Sequence, residues 1–132
     1  CFDLLHVGHI RYLYQAKKFG DILIVALNSD ESVKKLKGEN RPIINENERA
    51  ELLSALEMID YLIIFNDLTC KNILNLLKPD IYVKGGDYTR ETLPEWPVVR
   101  EYGGVVKLVD EIEGRSTTSL ISKINSLKAD NI

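Results

Sequence analysis

Four short apolar runs, spaced along the chain with helix-like stretches between them, constrain the fold more than any other feature. They are Ile22–Leu27 (ILIVAL), Tyr61–Phe65 (YLIIF), Ile81–Lys84 (IYVK) and Val105–Val109 (VVKLV). Each is four to six residues of β-branched, aliphatic or aromatic type, and three are nearly continuous, the pattern of strands covered on both faces in a parallel sheet. Helical spacing fills the intervals at Ile10–Phe19, Glu31–Lys37, Glu46–Leu56, Thr69–Leu77 and about Thr117–Leu127. Strand and helix in alternation predict a Rossmann-like α/β fold with helices on both faces of a parallel sheet. Local signals agree: Gly20 is placed to end the first helix in a left-handed turn, Asn45 and Glu48 have capping-box spacing, and Pro79 stops the fourth helix.

Composition sets the limits. With 132 residues, 45% hydrophobic and 28% charged, one domain spanning 1–132 with its own core is expected. No run approaches the roughly 20 apolar residues of a membrane span, and the N-terminus lacks the order of a signal peptide, so a cytoplasmic protein is expected. Cys1 and Cys70 have neither metal-ligand spacing nor the density of a disulfide scaffold and read as free thiols. A net charge of −3 lacks the basic footprint of a nucleic-acid binder.

The stretch CFDLLHVGH reads as a loop entering a helix, which in a doubly wound sheet follows a strand; that first strand is expected to lie ahead of Cys1, outside the given residues. Ligands in such sheets gather at the carboxyl ends of the strands, near the switch in strand order. The only two histidines, His6 and His9, stand there three apart with Gly8 between them. At a helix start they would add two imidazoles to the anion-attracting N-H groups, and Gly8 would let backbone or ligand approach closely. Two other readings use the same residues: one histidine caps the helix while the other packs under a loop, or both join Cys1 or Asp3 in a metal site.

Further stretches carry chemistry. KGGDY (Lys84–Tyr88) puts two glycines and a carboxylate at a strand's carboxyl end, either for close approach to a nucleotide or as a plain turn. EGRSTTSLISKI (Glu113–Ile124) sets Gly114, Arg115 and hydroxyls at the start of the last helix with Ser116 as N-cap, either a second anion site or an ordinary cap. KKLKGENR (Lys34–Arg41) is a solvated basic face or a loop able to fold over a substrate. Tyr88 and Trp96 could stack on a ligand or serve as core aromatics.

CFDLLHVGH, KGGDY and EGRSTTSLISKI, in this order and spacing, resemble the cytidylyltransferase-like nucleotidyltransferases, with HxGH near the N-terminus and an STT motif opening the last helix. The resemblance covers nearly the whole chain. Within that group PDIYVKGGDY and EGRSTT are most similar to the adenylyltransferase domain of the bifunctional heptose enzymes, which make ADP-heptose for lipopolysaccharide or surface glycans from ATP and heptose 1-phosphate. FMN adenylyltransferases are similar too. Glycerol-3-phosphate cytidylyltransferases typically have an arginine ahead of the final EG, where this chain has Asp110-Glu111-Ile112.

The resemblance implies nucleotidyl transfer without a covalent nucleophile, and it assigns roles. His6 and His9 would donate to the triphosphate, and Lys37, or Lys34 in another loop register, would reach the phosphates. Phe2, Asp3, Gly8, Gly86 and Asp87 would border the nucleotide, Asp3 either orienting a histidine or lysine or serving a turn. Arg115, Ser116, Thr117 and Thr118 would hold the β and γ phosphates, and Lys34 and Tyr88 the acceptor. Mg2+ is expected on the triphosphate rather than in a protein cage, and a homodimer is usual for the group. A nucleotide-binding domain of the same fold without turnover is the reading from another class.

Overall fold

The computed structural model describes residues 2–86, 88–109 and 117–130, with side chains described for 2–86, 88–109 and 120–127. The elements, in chain order, are α1 (Val7–Lys18), β1 (Ile24–Asn28), α2 (Asp30–Lys37), α3 (Glu46–Ser54), β2 (Tyr61–Phe65), α4 (Lys71–Leu77), β3 (Ile81–Gly85), α5 (Trp96–Glu101), β4 (Val105–Val109) and α6 (Thr117–Asp130). All four predicted strands and all five predicted helices form, and the strand pairing is parallel as expected.

Among the described residues the strands stand as two parallel pairs. In one, β1 runs beside β2 from Ile24 opposite Tyr61 to Asn28 opposite Phe65; in the other, β3 runs beside β4 from Ile81 opposite Val105 to Gly85 opposite Val109. Each pair has its own core. Leu13 of α1, Val25 and Leu27 of β1, Leu53 of α3 and Met58 fill the first. Leu74 of α4, Leu93, Val99 of α5 and Val106 of β4 fill the second. Apolar area removed from water at about 25 cal/mol per Å² drives each cluster, so α1 and α3 are held on the first pair and α4 and α5 on the second.

Coverage on both faces of every strand, expected from the near-continuous apolar runs, is not what these residues show. Val25 and Leu27 are buried while Ile24 is 39% exposed, and Tyr61 of β2 is 62% exposed. Two-stranded pairs present less surface to their helices than one wide sheet, and the side chains alternate across the pleat. One further element, α5, was not predicted; Pro97 stands in its first turn, where a missing N-H is tolerated.

Helix ends follow local chemistry. His6, Ser29 and Asn45 cap α1, α2 and α3, each with a side-chain acceptor for a first-turn N-H. The left-handed turn expected at Gly20 is absent: α1 closes on Phe19 in right-handed conformation, with Phe19 N-H donating to Ala16 O at 3.2 Å and Gly20 N-H to Lys17 O at 3.3 Å. The left-handed cap occurs instead at Lys78 (φ 47°), just before Pro79, which ends α4 as predicted.

Candidate functional site

At the N-terminus of α1 the two histidines are tied to backbone through the same ring atom. Gly8 N-H donates to Nδ1 of His6 at 3.1 Å, and His6 N-H donates to Nδ1 of His9 at 3.3 Å. This is the reciprocity of a capping box with imidazoles in the usual hydroxyl and carboxylate positions. An Nδ1 that accepts carries no proton, so a neutral ring has its proton on Nε2. Both rings are thereby set as Nε2-H donors. The rings lie 3.9 Å apart, tilted by 30°, and Phe2, at φ 54°, sits 5.0 Å from His9.

Burial, reinforced by the neighbouring His6, pulls His9 down to a pKa of about 4. His9 is neutral at physiological pH, able to donate from Nε2 without carrying charge. His6 does cap the helix, and the capping atom is Nδ1. A metal would need an unprotonated nitrogen on each ring, and Nδ1 is already engaged by backbone, so these two histidines suit an anion better than zinc. Among the described residues no three His, Cys, Asp or Glu groups converge on one point.

Asp3 has a different role from either expected one. Its fully buried carboxylate accepts from Arg41 Nε at 2.7 Å and from the N-H groups of Ile43 and Ile44 at 2.9 Å. Burial alone would raise its pKa, but the Ile44 and Ile43 N-H groups and the Arg41 guanidinium together hold it below the usual carboxylate value. No histidine or lysine is its partner, because the 41–44 segment, with a cis Arg41-Pro42 bond, fills the space first. Arg49 extends this lock: buried in α3, it donates from Nε to Ile44 O and from Nη2 to Asp30 Oδ1, each at 2.9 Å. That link, between residues 19 apart, was not foreseen from the sequence.

The basic stretch Lys34–Arg41 therefore divides. Lys34 and Lys37 lie on α2, Lys37 as its last residue, while Arg41 is pinned to Asp3 and cannot close over a substrate as a free loop. Gly38 at φ 107° makes the turn between them. Lys34 lines a cavity of about 220 Å³ with Asp30, Pro42, Ile43, Asn45 and Glu48; Lys37 is exposed at the surface.

The second expected stretch stands at the carboxyl end of β3. Gly86 has φ 105°, a conformation that side chains resist, and Lys84 Nζ lies 5.5 Å from the centre of the Tyr88 ring, which is 42% exposed. Trp96 instead packs on the second core with Arg100 5.3 Å from its ring, so it is a core aromatic rather than a stacking platform. Gly8 is buried in the first turn of α1. Asp87, Arg115 and Ser116 lie outside the described residues, as do the side chains of Thr117 and Thr118, the first two residues of α6.

A family model described as cytidylyltransferase-like matches residues 1–127. The chain is 52% identical over 124 residues to the bifunctional protein HldE of Syntrophotalea carbinolica and 56% identical to that of Geobacter metallireducens, in both cases 94% of this chain and 25% of the relative. HldE of Campylobacter fetus subsp. fetus is 53% identical over 94% of this chain. The chain thus spans about a quarter of the length of these curated relatives. Among solved structures, that of the lipopolysaccharide core biosynthesis protein from Thermoplasma volcanium GSS1 superposes with a TM-score of 0.68 at 34% identity, covering 84% of this chain and 89% of the other.

Proposed function

Because the chain belongs to the cytidylyltransferase-like family of nucleotidyltransferases, we propose that it transfers an adenylyl group from ATP to a sugar 1-phosphate, with heptose 1-phosphate as the acceptor and pyrophosphate as the leaving product. The observation that carries this reading is the pair of imidazoles at the α1 N-terminus, each accepting a backbone N-H at Nδ1, with His9 held neutral by burial. The adenylyl donor and sugar acceptor are supported by the KGGDY and EGRSTT stretches and by the bifunctional HldE relatives and the lipopolysaccharide core biosynthesis protein.

In the reaction a phosphate oxygen of the acceptor attacks the α-phosphorus in line, the new P-O bond forms, the α-β bridging bond breaks, and pyrophosphate carries away the electron pair. Charge grows on the equatorial oxygens and on the leaving group. Two Nε2-H donors at a helix N-terminus meet that charge without a proton transfer, and removing one such donor typically costs 10²–10³ in rate. Lys34 and Lys37, one and two turns from the start of α2, supply the cations for the phosphates. Mg2+ would arrive with the triphosphate and neutralise part of its charge. Arg115, Ser116, Thr117 and Thr118 would hold the β and γ phosphates, Phe2, Gly8, Gly86 and Asp87 would border the nucleotide, and Lys34 and Tyr88 the acceptor; a homodimer in the cytoplasm is part of the same reading.

Pyrophosphate release with Mg2+, measured for ATP and CTP against heptose 1-phosphate, FMN and glycerol 3-phosphate, tests it. Release only with ATP and heptose 1-phosphate is the expected result. Release with another pair reassigns the acceptor or nucleotide, and ATP binding without release from any pair would leave a binding domain.

A further inference from the structure

We infer that Tyr12 is a positioning residue that sets the spacing between the His6–His9 turn and the Gly85–Gly86 loop, and that residue 85 is glycine to admit its ring. The inference rests on the nucleotide-site reading above. Tyr12 stands three residues after His9, so both occupy one face of α1 a turn apart. Its hydroxyl donates to Val83 O of β3 at 3.1 Å, crossing from the helix of the first core to a strand of the second pair. A Cβ on Gly85 would come within 3.1 Å of Tyr12 Cε2, tight enough that the ring must give by a few tenths of an ångström, and within 3.5 Å of Cδ2, an ordinary contact.

The two glycines of KGGDY are thus glycine for different reasons. Gly86 has the positive φ that requires it, whereas Gly85 does not, and the Tyr12 ring is what a side chain there would press against. Because α1 carries both histidines and β3 delivers the glycine loop, one hydrogen bond and one close ring contact fix the distance between two parts of the same nucleotide site. Burial pushes the Tyr12 phenol up to about 12, so it stays a donor throughout the working pH range.

Two variants test this in the intact chain. Tyr12→Phe removes the hydroxyl and keeps the ring; Gly85→Ala keeps the hydroxyl and pushes the ring. A misplacement of about 1 Å in an oriented site costs up to 10²-fold, so each variant should lower kcat for pyrophosphate release about tenfold, with the KM of the acceptor unchanged and the thermal midpoint little moved for Tyr12→Phe. A purely structural Tyr12 would lower the midpoint and leave kcat alone well below it. Values of kcat for both variants within twofold of the parent would overturn the inference. Should the parent bind ATP without transferring it, ATP affinity becomes the readout: a fivefold loss in both variants supports the inference, and unchanged affinity overturns it. A parent that binds no nucleotide sinks the nucleotide reading and this inference with it.

Discussion

The backbone N-H of His6 donates to Nδ1 of His9 at 3.3 Å, so the residue that caps the helix also fixes the tautomer of the second histidine. Helix start and proposed phosphate donor are therefore one local structure, and changes to either histidine act on both.

Replacing His9 with Ala should remove one Nε2-H donor and one acceptor for the His6 N-H. Transfer is expected to fall 10²–10³-fold, while the helix, still capped by His6 through Gly8 N-H, loses only about 1 kcal/mol. Steady-state pyrophosphate release and thermal denaturation of the same preparation check both halves; activity near the parent level would remove His9 from the mechanism.

The pH dependence follows from His9 being held at about 4. Its ring is neutral in the folded protein throughout neutral pH, so kcat/KM should show no inflection near 6.5 from this residue. Stability behaves otherwise. The unfolded chain takes up a proton at His9 near the ordinary value of 6.5 and the folded one only near 4, so this contribution is full above pH 6.5 and is lost progressively as pH falls toward 4. Urea unfolding at pH 7.5, 6 and 4.5 should give a falling midpoint, and the decline should shrink in His9→Ala.

Asp3 adds a second, more acidic stage. Its folded pKa lies below 3.8, so its contribution is present above that value and disappears as pH drops beneath it. Asp3→Ala at neutral pH leaves Arg41 and the Ile43 and Ile44 N-H groups without their acceptor in a buried place. A loss of about 3–5 kcal/mol is expected, the range for breaking a buried charge pair, measured by denaturant unfolding. A change below 1 kcal/mol would show that the 41–44 segment is held by other contacts.

Arg49→Lys should fail to restore what Arg49→Ala loses. The guanidinium reaches Ile44 O through Nε and Asp30 through Nη2 at once, a fork that a point-charge ammonium cannot reproduce. Equal stability of the Lys variant and the parent, by thermal denaturation, would contradict the bidentate geometry.

Element types were legible in the sequence because apolar periodicity is local. β1 to β4 and five of the six helices follow from it, and the caps at Asn45 and Pro79 follow from side-chain chemistry within a few residues. The short helix α5 was hidden because Pro97 reads as a breaker unless its position in the first turn is known. For the site, His6, His9 and the Gly86 turn were visible as motifs. The partner of Asp3 was not: Arg41 lies 38 residues away, and nothing within reach of Asp3 in the chain distinguishes it from a turn aspartate.

The sequence by itself determined which residues could carry the chemistry: two histidines at a helix start, glycines at a strand's end, and alternating elements that bring such ends together. Tertiary structure decided how they act. The Nε2-H tautomers depend on hydrogen bonds closed only once α1 forms, the anchoring of Arg41 depends on the burial of Asp3 and that of Arg49 on its own burial beside Ile44 O and Asp30, and the spacing through Tyr12 and Val83 joins residues 71 apart. Propensity is summed over neighbours in the chain, whereas tautomer, charge state and distance are set by neighbours in space.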